Sequence, residues 1–183
     1  LCIRALMHYE THDYNAAMSD LNRVLKDDPG NALTLYNRSL LYAQVGDLPS
    51  ALEDMDRVIN INPRNVLAYF NRAAIFMEMN RWRDALSDYD RAIELYPDFA
   101  KAYLNRSYVE NLLGMTKESK ADYRTAQRKV GEYRAKNAAG EASFADTTRK
   151  YNSLLALDAD FAKKDFDNEL LQHRDIDIRL RPL

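Results

Sequence analysis

Residues 66 to 79 place apolar or small side chains at Tyr69, Ala73 and Phe76, the i, i+4, i+7 spacing of one helix face. Asn80-Arg81 then reads as a turn. A second helix is expected from Trp82 to Leu95, with Ala85, Tyr89, Ala92 and Ile93 inward. Pro97 stops it, and Asp98 is the expected N-cap of the next helix. The segment before repeats this plan. Leu35, Ser39 and Tyr42 form the stripe, Gly46-Asp47 the turn, and Pro49 suits the first turn of the following helix. Residues 117 to 137 read as one long, richly charged helix. After a loop at 137 to 143, a helix is expected at 146 to 157 and a short one entered by Phe161, in a stretch that echoes residues 96 to 105. Ile176, Ile178 and Leu180 alternate, which predicts a strand at 175 to 181. A lone strand needs a partner, in a remainder of the protein, over the end of the array, or in another chain by self-association.

These helix pairs recur. Asn37-Arg38-Ser39, Asn71-Arg72-Ala73 and Asn105-Arg106-Ser107 follow one another at steps of 34 residues. Pro29, Pro63 and Pro97 keep the same step, as do Ala17, Ala51, Ala85 and Ser119. A fixed period with two amphipathic helices per unit signals stacked helical hairpins, because one hairpin alone cannot bury its apolar face.

On these residues the chain resembles the tetratricopeptide repeat family, whose pattern is matched by Tyr69, Ala73, Phe76, Ala85, Tyr89 and Pro97. Leu35, Ser39, Tyr42, Ala51, Met55 and Pro63 match it one unit earlier; Tyr103, Ser107, Ser119 and Tyr123 match it one unit later. The last unit departs, with Glu110, Thr116 and Gly131 where Phe76, Trp82 and Pro97 stand. The first is cut: Leu1 already holds the leading aromatic place, and Ala5, His8, Ala17, Leu21 and Pro29 follow in register. The resemblance implies an all-α, right-handed superhelical solenoid over residues 1 to 131, with a partial repeat at 1–31 and repeats at 32–65, 66–99 and 100–131. Residues 132 to 183 are expected to form a C-terminal extension.

The family often has leucine where this chain has Arg4, Arg38, Arg72 and Arg106. A charge on a core-facing stripe needs a partner. Asp20, Asp54, Asp88 and Asp122 recur on the second helices, three residues after the small one. An Arg–Asp pair per repeat is therefore expected, a structural ladder in which the guanidinium fork satisfies both carboxylate oxygens. The pair lies either within a unit, Arg38 with Asp54, or between units, Arg38 with Asp20.

In tetratricopeptide arrays the first helices line a concave face. The resemblance thus implies a peptide-binding groove of Tyr36, Asn37, Leu40, Phe70, Asn71, Met77, Lys101, Asn105 and Tyr108. Asparagine offers a donor and an acceptor to an extended backbone, and the aromatic rings offer apolar anchors. The alternative is that each asparagine bonds locally. Some cochaperones of the family clamp a C-terminal carboxylate. Asn71 and Lys101 match that clamp, but Tyr36, Leu40 and Asn105 stand at its other places, so the clamp is not expected.

Composition narrows the classes. Net charge is −2 and the pI about 6.0, so no global basic field invites nucleic acid. Five glycines and five prolines in 183 residues suit a helical chain. No apolar run approaches the roughly 20 residues that span a bilayer. A lone Cys2 excludes an internal disulfide. The sequence starts without methionine and inside a repeat, so it is expected to be a piece of a longer protein, and its compartment, cytoplasmic or bacterial periplasmic, stays unassigned. His8 and His12, with Cys2 nearby, have a spacing that binds zinc, but His8 holds a repeat core place. Sequons at Asn37 and Asn105 lie inside expected helices. No phosphate loop, nucleophile elbow or HExxH is present, so neither catalysis nor a cofactor is expected. The reading is a protein–protein interaction scaffold docking a peptide or partner segment in the groove. The rival is a structural spacer or oligomerisation arm of a larger, cell-envelope type of protein.

Overall fold

A computed structural model describes residues 2–138, with side chains from 13 to 136. Seven helices follow one another among the described residues: α1 (Cys2–Asp27), α2 (Ala32–Gln44), α3 (Leu48–Ile61), α4 (Val66–Glu78), α5 (Trp82–Leu95), α6 (Ala100–Leu112) and α7 (Thr116–Ala138). The chain divides into two compact units, Leu1–Pro63 and Arg64–Leu183. In the first, α2 packs on α1 and on α3; in the second, α4, α5, α6 and α7 each pack on the next. The strand expected at 175 to 181, the helices expected beyond 145 and the echo of residues 96 to 105 lie outside the described residues.

The turns explain the hairpins. Gly46, Asn80 and Gly114 have φ of 84°, 58° and 77°, and these left-handed residues end α2, α4 and α6. After each, the next amide donates to a carbonyl five residues back: Asp47 to Tyr42 at 2.9 Å, Arg81 to Phe76 at 2.8 Å, Met115 to Glu110 at 2.8 Å. This closure satisfies carbonyls that the helix leaves without partners. The second helices end differently. Asn62 and Tyr96 are extended, with φ of −135° and −140°, because each precedes a proline.

In the 34-residue register the first unit should turn at His12-Asp13. Instead α1 runs unbroken from Cys2 to Asp27. His12 holds the place of Gly46, Asn80 and Gly114, and histidine enters the left-handed region less readily than glycine or asparagine. The N-caps also differ from expectation. Asn31 and Asn65 accept from the amides of Thr34 and Ala68 at 2.9 and 3.0 Å. At the equivalent place before α6 stands Phe99, which makes no side-chain cap bond. Asp98 does not cap; it accepts from Lys129 Nζ at 2.6 Å.

Each hairpin closes over small residues. Ala51, Ala73, Ala85 and Ser39 are fully buried. Ser39 Oγ donates to the Ala51 carbonyl at 2.6 Å, and Ser107 and Ser119 each donate to the other's carbonyl, at 2.9 and 2.8 Å. Met55, Tyr89 and Phe99 fill the space beside these crossings.

Candidate functional site

The arginines of α2, α4 and α6 hold the aspartates of the helix that follows. Arg38 donates Nε and Nη2 to Asp54 at 2.6 and 2.8 Å. Arg72 grips Asp88 at 2.8 Å through the same two nitrogens. Arg106 grips Asp122 at 2.5 and 2.8 Å. The arginine side chains are 19–21% exposed and the aspartates 3–11%. Such forked pairs satisfy both carboxylate oxygens at the depth where an isolated charge would be costly. The hydrogen bond to Asp122 raises the Arg106 pKa, and the bond to Asp54 does the same for Arg38.

Each fork closes within one hairpin, and two of the arginines also reach backward. Arg38 Nη1 donates to Asn22 at 3.0 Å, and Arg106 Nη1 to Asp90 at 3.0 Å. The backward partner is therefore two residues beyond the Asp20 place that the sequence suggests. Asp20 itself is exposed, and Arg4 lies outside the described side chains. The signal for the backward partner was the polar series Asn22, Asp56, Asp90. On α7 that place holds Arg124, exposed to solvent beside Tyr123, which is 48% exposed.

Aromatic rings lie by the guanidinium groups. Tyr42 stands 5.6 Å from Arg38, Tyr69 and Phe76 each 5.7 Å from Arg72, and Tyr103 5.5 Å from Arg106. At the place of Tyr42 and Phe76, α6 carries Glu110 instead, with Oε1 3.8 Å from Arg106 Nε.

The residues expected to line a groove are mostly covered. Tyr36, Phe70, Met77, Lys101 and Asn105 are at most 8% exposed, whereas Asn37, Leu40, Asn71 and Tyr108 are half-buried. In the second unit several come together. The Phe70 ring lies 4.8 Å from Phe99 and 5.8 Å from Tyr89, and Lys101 Nζ stands 5.6 Å from the same ring. Tyr89 is fully buried beside Asn105. Burial raises its phenol pKa, while the Asn105 amide opposes that rise. The asparagines differ from one another. Asn71 donates to the Leu67 carbonyl at 2.8 Å, the local bond that was the alternative reading. Asn37 Oδ1 and Asn105 Oδ1 accept no hydrogen bond from the described protein. Phe99 and Tyr89 complete this cluster; only Tyr89 was marked as inward by its spacing.

No group of acidic, histidine or cysteine residues suited to a metal occurs among the described residues. His8, His12 and Cys2 lie outside the described side chains. No described helix is long and apolar enough to cross a membrane.

Two tetratricopeptide repeat models match the chain, at residues 4–66 and 39–110. No curated protein matches it. Among solved structures, the chain is similar to the crystal structure of MamA, at 20% identity and a TM-score of 0.62, covering 88% of this chain and 95% of that one. MamA 41-end from Desulfovibrio magneticus RS-1 is similar at 16% identity and a TM-score of 0.61, over 66% of this chain and 68% of that one. The second TPR of Spaghetti (RPAP3), bound to the HSP90 peptide SRMEEVD, is similar at 27% identity and a TM-score of 0.51, over 53% of this chain and 90% of that one. Proteins of this kind are generally interaction scaffolds for protein or peptide partners rather than enzymes. Hairpins closed by left-handed turns, small residues at each crossing and two overlapping family matches agree: the chain belongs to the tetratricopeptide repeat family.

Proposed function

We propose that the second unit docks an extended peptide on the face that carries Phe70, Asn71, Lys101, Asn105 and Tyr108, the concave groove of the repeat pattern. Met77 lies two turns along α4 from Phe70 in the same unit, and Tyr36, Asn37 and Leu40 hold the equivalent register places within the first unit. The observation that carries it is the cluster itself. Asn71 and Tyr108, on α4 and α6, are half-buried, and the Phe70 ring of the same unit has the Lys101 ammonium 5.6 Å away. A half-buried amide and a half-buried phenol suit hydrogen bonds to an extended backbone, and the aromatic rings beside them suit an apolar side chain. The similar repeat of Spaghetti (RPAP3) is itself bound to a peptide with two glutamates and a terminal aspartate. The clamp that holds a terminal carboxylate is not proposed, because Asn105 stands where it needs a cation.

A peptide-library screen against the whole chain tests this. Phe70 is unsuitable for substitution, since it packs on Phe99 and Tyr89 and its loss would unfold the unit. Asn71→Ala/Tyr108→Ala changes half-buried residues instead. Binders selected on the wild type and lost by the double variant, with unchanged circular dichroism, support the proposal. Undiminished binding, or no binder at all, moves the reading to a spacer or oligomerisation arm.

A further inference from the structure

Glu110 is 5% exposed and sits where the earlier hairpins place an aromatic ring. Its nearest cation is Arg106, whose single Nε–H is committed to Asp122 at 2.5 Å and stands 3.8 Å from Glu110 Oε1. Nη2 goes to the other oxygen of Asp122, and Nη1 to Asp90. One guanidinium thus faces three carboxylates: Glu110 on its own helix, Asp90 from α5 and Asp122 from α7. Two of them take the hydrogen bonds. Glu110 Oε2 has no partner in the described protein. An ionised carboxylate in this position would be buried, short of donors and beside another carboxylate. A protonated one is neutral and can donate its O–H to Asp122.

We propose that Glu110 is a proton-operated latch between α6 and α7: protonated, it closes the hairpin onto Asp122, and ionised, it adds an uncompensated charge that loosens α7. The inference is independent of the docking reading. Burial, then the Asp122 and Asp90 charges working against Arg106, raise the Glu110 pKa from its ordinary 4.5 to about 7. Between those values the folded chain keeps a proton that the unfolded chain has released. Stability therefore falls as pH rises through that window and stays lower above it.

The test is hydrogen exchange of the α6 and α7 amides in the whole chain, wild type and Glu110→Gln, between pH 5.5 and pH 8 after correction for intrinsic rates. Glutamine mimics the protonated form at every pH. The expected result is wild-type opening about thirtyfold more frequent at pH 8 than at pH 5.5, with the variant unchanged across that range. Carboxyl NMR of the wild type provides a second readout should the variant not fold, with Glu110 titrating well above the other glutamates. A pH-independent difference between the two chains, or a Glu110 carboxyl titrating near 4.5, overturns the proposal.

Discussion

Arg38 holds both carboxylate oxygens of Asp54, sixteen residues ahead, and so ties α2 to α3 from the middle of their shared face. Leucine would fill the arginine's place without a partner. Once the arginine is there, the aspartate becomes obligatory.

Asp54→Ala is therefore expected to cost about 3 kcal/mol in urea denaturation, because Arg38 keeps a largely covered charge without the carboxylate that takes two of its hydrogen bonds. Arg38→Leu alone should cost a similar amount, since it strands Asp54. The double variant Arg38→Leu/Asp54→Leu should recover most of the loss. A double variant whose cost equals the sum of the singles would show that the two residues act separately.

The turns give changes of opposite sign. A Cβ at Gly46 or Gly114 meets nothing within 4 Å, so the penalty for alanine there is the positive φ alone, about 1–2 kcal/mol. Gly131, inside α7, also has open space but no positive φ. Gly131→Ala should stabilise by about 0.5–1 kcal/mol. Thermal melts of the three variants check the contrast, and equal shifts at all three positions would contradict it.

Ser39 and Ser107 stand where the α4–α5 hairpin has Ala73, so alanine fits the space. Ser39→Ala should cost about 1 kcal/mol, the net worth of the bond to the Ala51 carbonyl. Val at the same site should cost more by overpacking. Chemical denaturation of both variants separates the bond from the volume.

Much of the hairpin plan was legible because turn chemistry is local. Proline, glycine and asparagine at steps of 34 residues mark where helices stop, and the structure puts α4 and α5 within a residue of the expected bounds. The failures have physical causes as well. His12 occupies a turn position without the left-handed freedom of glycine or asparagine, and α1 runs through it. Asp98 has the side chain of a cap, but Phe99 holds the cap position and Lys129 takes the carboxylate, a contact 31 residues away that no local pattern encodes. Periodicity also tells which face a residue shares but not how much of it neighbours cover. That is why Phe70, Met77 and Lys101 were expected along a groove and are found at most 8% exposed. Glu110 was visible as a departure from the pattern; its charge environment became readable only with Asp90 and Asp122 in place.

Arg124 gives the array a direction of growth. Duplicating a hairpin between α5 and α6 would present each incoming guanidinium with an aspartate at the place of Asp90. The same hairpin spliced in after α7 would meet Arg124, and two cations would be pressed together. Lengthening by tandem duplication is thus permitted inside the second unit and disfavoured directly after α7, until Arg124→Asp restores the acceptor.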